Sequence, residues 1–151
     1  MRSIMLIAAI ALAACGDDLT PGDDPRANPR DVSKVAEGGK LYAQHCASCH
    51  GAKLEGQPNW RQRLPNGRLP APPHDESGHT WHHPDNVLFG ITKEGLVSGR
   101  YAPPGYESDM PAFSGKLTDE GIWAVLAYIK SHWTSRDVLS ARAEMTRKPR
   151  R

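Results

Sequence analysis

The sequence predicts a small all-α domain of three main helices joined by long loops. Three stretches carry apolar residues at a helical period, and helix-start or helix-stop residues flank each of them. The segments between them show no period of either kind and are dense in proline and glycine, of which the 151 residues contain 13 and 14. Such a length allows one domain with appendages. A chain this small and loop-rich is short of apolar volume, and a cofactor inside the fold would supply it. The formal net charge of +2 is too near zero to indicate a nucleic-acid partner.

The first helix is expected from Val32 to about Cys46, with Asp31 as its N-cap. Val32, Val35, Gly39, Tyr42 and Cys46 share one face of it. Gly38 and Gly39 each cost about 1 kcal/mol relative to alanine, which points to a close approach of another backbone. A second, short helix is expected over Pro84 to Ile91, with proline at its first position, Asp85 in its first turn and Gly95 past its end. Val87, Leu88 and Ile91 make its face. The third begins at Thr118, a capping residue followed by Asp119 and Glu120, which complement the helix dipole. Ile122, Val125, Leu126, Ile129 and Trp133 form its apolar stripe. Beyond Arg136 the chain turns basic. Asp137 to Thr146 has the pattern of a further amphipathic helix, but a solvated, frayed extension is expected, with acidic headgroups or an acidic partner as alternative contacts.

Chemistry concentrates at Cys46-Ala47-Ser48-Cys49-His50, the C-x-x-C-H pattern of covalent haem attachment. Each sulfur can add across one vinyl group of haem, and the adjacent imidazole then reaches the iron. A zinc site would want a second pair of ligands, and the sequence contains no second C-x-x-C. A redox dithiol would want a βαβ context, and a structural disulfide across a two-residue loop is strained.

The amino terminus reads as an export signal, with Arg2 as the charged start and Ile4 to Leu12 as the apolar run. That run is too short for a permanent membrane helix. Leu12-Ala13-Ala14-Cys15 resembles a bacterial lipobox, in which Cys15 is acylated; an ordinary signal peptide with an incidental cysteine is the alternative. Three cysteines are then fully used, one for lipid and two for haem. Residues 16–30, with Pro21, Pro25 and Pro29 among charged groups, are expected to be a flexible tether. The expected divisions are therefore a signal peptide over 1–15, the tether over 16–30, a domain over 31–134 and a basic extension over 135–151.

Gly38-Gly39-Lys40-Leu41-Tyr42, followed by His45 to Gly51 around the C-x-x-C-H motif, resembles the amino-terminal helix and haem motif of class I c-type cytochromes over roughly residues 36–133. The resemblance implies the class I fold around one covalently bound haem c. It implies a crossing of the first and last helices at a small residue, best matched by Gly38, with Tyr128 packing there and Trp123 beside it. It implies His50 as the proximal iron ligand, oriented by a proline carbonyl, for which Pro58 is the candidate and Pro65 the reserve. Met110, paired with Pro111 in the loop before the last helix, matches the distal ligand. Phe89 is a candidate for the pocket wall and Trp60 for the haem edge or the core.

His74, His79, His82 and His83, with Asp75 and Glu76 between the first two, form a second candidate cluster. It would suit copper or zinc, or compete for the haem iron. With both axial positions of the iron filled by side chains, the resemblance implies outer-sphere, one-electron transfer in a bacterial periplasm rather than catalysis. The partners would be a terminal oxidase, a quinol-oxidising complex or a periplasmic dehydrogenase. A copper-binding or redox-sensing haem protein is the alternative.

Overall fold

The computed structural model describes residues 22–147. The expected signal peptide, the lipobox at Cys15 and the first part of the tether lie outside the described residues. The architecture is all-α, as the sequence predicts. It comprises α1 (Val32–His45), α2 (Ala47–His50), α3 (Asp85–Glu94), α4 (Asp119–Lys130) and α5 (Arg136–Arg147), with 3-10 turns at Pro25–Ala27 and Thr80–His82. Among the described residues no helix is long and apolar enough to cross a membrane.

The capping expectations correspond to real bonds. The Asp31 carboxylate accepts from the Lys34 N–H, and the Thr118 hydroxyl accepts from the Gly121 N–H. Gly95 closes α3, whereas Pro84 stands one place earlier than expected, as the N-cap. The core is centred on α4, whose residues from Gly121 to Ala127 are all buried. Helix α1 crosses α4 with Gly38 and Tyr42 as its buried residues. Val32, expected on that face, is 82 % exposed, because the crossing point lies nearly two turns further along the helix.

Residues 22–30 depart from the expected tether. Ala27 is fully buried, and Arg26 stacks its guanidinium over the Trp123 ring, 4.2 Å from the centroid. The Asp24 N–H donates to Asp85, and Asp23 joins a buried ionic cluster with Asp85, Lys130 and Arg142. Lys130 Nζ lies 2.5 Å from Asp85 and 2.8 Å from Asp23. Arg142 Nη2 lies 2.6 Å from Asp85 and 2.8 Å from Asp23. Two carboxylates and two cations balance, so four charges can be buried together. Burial pushes the Asp85 carboxyl up from its ordinary value, while Lys130 and Arg142 pull it back down.

The same cluster corrects the expectation of a frayed carboxy-terminal extension. Arg142 is 2 % exposed and also donates to the carbonyls of Trp81 (3.1 Å) and His83 (2.7 Å). Helix α5 is therefore docked over the 74–85 segment. Its amino end is held by Glu76, whose carboxylate accepts from the N–H groups of Thr134 and Ser135.

Candidate haem site

The end of α1 runs through Cys46 directly into α2, so the two thiols and the imidazole sit at a rigid helix–helix junction. Both cysteines are free; Cys46 is partly buried and Cys49 exposed. Burial, with Cys49 a lesser influence, pushes the Cys46 thiol up to about 11. The Tyr42 hydroxyl, one turn back, donates to the carbonyls of His50 (3.3 Å) and Gly51 (3.0 Å), tying the motif to the helix before it.

His50 is buried, and its Nδ1 lies 2.8 Å from the Pro72 carbonyl. A carbonyl can only accept, so Nδ1 carries the proton and Nε2 keeps its lone pair. That is the tautomer an iron ligand needs. Burial lowers the imidazole below its ordinary value, and the Pro72 bond works against that. The acceptor is thus Pro72, and neither Pro58 nor Pro65. The reason lies in how the loop folds back. The Gln57 N–H donates to Ala71, and a Cβ on Gly56 or Gly78 would fall 2.4 Å from Pro73 N or 2.1 Å from Pro73 O. Two glycines therefore let the Pro72-Pro73 backbone pass between them and beneath His50.

Met110 is partly buried, in a loop held on both sides. Before it, Arg68 pairs with Asp109 and with Glu107, and the Ser108 hydroxyl accepts from the Met110 N–H. After it, the N–H groups of Phe113 and Ser114 donate to Thr92 and Lys93 at the end of α3. The Phe113 ring meets His45 of α1 edge-on at 6.4 Å. Two thiols, one neutral imidazole with a free nitrogen and one restrained thioether fit a haem c in donor chemistry.

The other candidates resolve differently. Phe89 is partly buried and stacks on Trp123 at 4.3 Å, against the helical core. Trp60 stacks on His79 at 5.6 Å. His79 meets His82 and His83 edge-on, at 6.0 and 5.4 Å, and burial lowers both His79 and His82. Among the described residues no three His, Cys, Asp or Glu side chains are grouped to hold a metal ion. His74 stands apart from its neighbours, stacked on His50 with ring centroids 4.0 Å apart. Sequence reasoning missed Arg68, Pro72 and Thr80 as supports of the site, since nothing in their spacing marks them.

The sequence profile of the cytochrome c family matches residues 35–133. The chain is 27 % identical over 124 residues, 79 % of its length, to the thiosulfate dehydrogenase of Stutzerimonas stutzeri, and covers 34 % of that protein. It is 35 % identical over 57 residues, 36 % of its length, to cytochrome c-551 of Bacillus subtilis, and covers 51 % of it. The chain thus spans a third to a half of the length of these curated relatives. No solved structure matches significantly. A profile covering most of the chain, around a C-x-x-C-H junction whose histidine keeps its Nε2 lone pair, places this chain in the cytochrome c family, as a class I c-type cytochrome with covalently bound haem c.

Proposed function

We propose that the protein is a one-electron carrier in which haem c, thioether-linked through Cys46 and Cys49, has His50 and Met110 as its two axial ligands. Bound haem supplies an iron that alternates between the ferric and ferrous states. The chain's contribution is to keep the ligand sphere the same in both. The observation that carries this is the restraint on each ligand: Pro72 holds His50, while Arg68, Thr92 and Lys93 hold the loop of Met110. Fixed ligands leave little to reorganise when an electron arrives. A neutral thioether favours ferrous iron and raises the potential.

The carrier reading includes export to a bacterial periplasm and a lipid anchor at Cys15, supported by the charged start, the apolar run and the lipobox. Redox proteins are its partners, with an oxidase, a quinol-oxidising complex or a dehydrogenase as candidates. No nucleic acid is involved.

The optical spectrum of the oxidised holoprotein tests the ligand set. Met110→Ala is expected to abolish a weak sulfur-to-iron band that the parent shows; an unchanged spectrum excludes Met110. A second reading, an enzyme oxidising a sulfur anion, has one support, the relative named thiosulfate dehydrogenase. Thiosulfate added to the ferric holoprotein separates the two: rapid reduction favours the enzyme, and none favours the carrier. Cupric titration, with His79, His82 and His83 changed to Ala as control, tests the copper-binding alternative.

A further inference from the structure

His74 is the one histidine of its cluster that turns inward to the haem motif. Its ring lies on the His50 ring with centroids 4.0 Å apart and planes 22° from parallel. It is held there from several sides. Its N–H donates to the Leu54 carbonyl (2.8 Å), and its carbonyl accepts from the Trp133 indole (2.9 Å). Tyr42 meets the ring edge-on at 6.2 Å. Its Nδ1 lies 2.8 Å from the hydroxyl of Thr80, a buried residue whose hydroxyl in turn donates to the Pro73 carbonyl (3.4 Å).

These contacts close a loop. Pro72 bonds His50; Pro73, next in the chain, bonds Thr80; Thr80 bonds His74; and His74 lies on His50. A single hydrogen bond at Nδ1 tolerates tens of degrees of tilt, since its strength falls off steeply only at large angles. A ring packed against one face does not tolerate such tilt. We propose that His74 is a positioning residue for the proximal ligand, its stacked ring setting the rotation of the His50 imidazole plane about the Cβ–Cγ bond. That plane decides which iron d orbitals the imidazole π system overlaps, and so the anisotropy of the ferric ion and its potential. Nothing in this requires His74 to change charge; a flat ring of similar size in the same place would serve.

The inference rests on His50 being an iron ligand. It is tested on the ferric holoprotein by the principal g values at low temperature and by the midpoint potential, for His74→Ala, His74→Phe and Thr80→Val. His74→Ala is expected to shift the largest g value and the potential beyond the spread of repeat preparations. His74→Phe should return both to the parent values, even where the lost Thr80 bond lowers the melting temperature. Thr80→Val should broaden the g features, because the ring is less firmly held. Parent-like g values and potential in His74→Ala would overturn the proposal, as would a folded His74→Phe that shares the alanine shift. Should His74→Ala not take up haem, Thr80→Val decides: broadened features support the proposal, and unchanged ones overturn it. A wrong iron ligand would appear in the parent spectrum itself, so the two failures are distinguishable.

Discussion

Gly38 of α1 lies directly against the Ala124 carbonyl of α4: a Cβ on Gly38 would stand 1.9 Å from that oxygen and 2.9 Å from the Tyr128 Cβ. The oxygen belongs to a helix backbone and cannot swing aside. Gly38→Ala must therefore push the helices apart, and the expected cost is about 3 kcal/mol or more. Gly39 is the control. A Cβ there meets the Tyr128 ring at 3.2 Å, and a ring can shift by tenths of an ångström. The helix-propensity gain of about 1 kcal/mol should then leave Gly39→Ala near neutral. Denaturant unfolding of the two holoproteins checks the contrast.

Removing one member of the buried ionic cluster should cost more than removing a surface ion pair. Arg142→Leu removes one of the two cations that pair with Asp23 and Asp85 and strips the Trp81 and His83 carbonyls of a donor. About 3–5 kcal/mol is expected, since an uncompensated buried charge remains. Asp23→Asn should be milder, about 1–3 kcal/mol, because an amide still offers an oxygen. A melting temperature unchanged in Arg142→Leu would refute the docked position of α5.

The pairing of Arg68 with Asp109 and Glu107 predicts an effect on ligand exchange rather than on stability. These side chains are exposed and their pairing is screened by solvent, so Arg68→Ala should leave the unfolding free energy nearly unchanged. The loop of Met110 would nevertheless lose its leading restraint. Added imidazole should displace the thioether more readily, with apparent affinity rising several-fold. Spectral titration of the ferric protein measures this; equal affinities would show that Arg68 does not restrain the loop.

Acid should loosen α5 through Glu76. The Ser135 N–H, and after it that of Thr134, holds this carboxyl below its ordinary value near 4.5. With the folded value depressed, the unfolded chain binds more protons below about 4.5. The stabilisation is thus present above that pH and is lost as pH falls through the folded value. Asp24, held low by Arg26, and Asp31, held low by the Ser33 hydroxyl, slope the same way. The difference between parent and Glu76→Gln isolates the one group: the variant's melting temperature should depend less on pH between 5 and 3, roughly the span set by carboxylate values.

What local chemistry encodes was legible in advance. The caps at Asp31 and Thr118 and the α4 stripe each depend on residues whose neighbours in sequence announce them, whereas the Gly38–Tyr128 crossing followed only from the resemblance to class I c-type cytochromes. The proline acceptor was not legible, because 22 residues separate His50 from Pro72 and several prolines precede it at plausible distances. The ionic cluster was hidden for a similar reason. Asp23 and Arg142 lie 119 positions apart, each in a charged stretch that by itself reads as solvated. Only the tertiary meeting of the two turns an apparent tether and an apparent tail into core structure. His74, among four histidines of similar sequence context, carried no local mark of the ring it would lie on.

The same meeting has a mechanical side. At Gly22 the chain passes so close to Thr146 that a Cβ would fall 2.4 Å from that residue's own, and the next residue is clamped by Lys130 and Arg142. A pull applied at Gly22 is therefore borne first by this clasp. Strain arriving there stops at the clasp, and the haem motif beyond α1 is spared the tug.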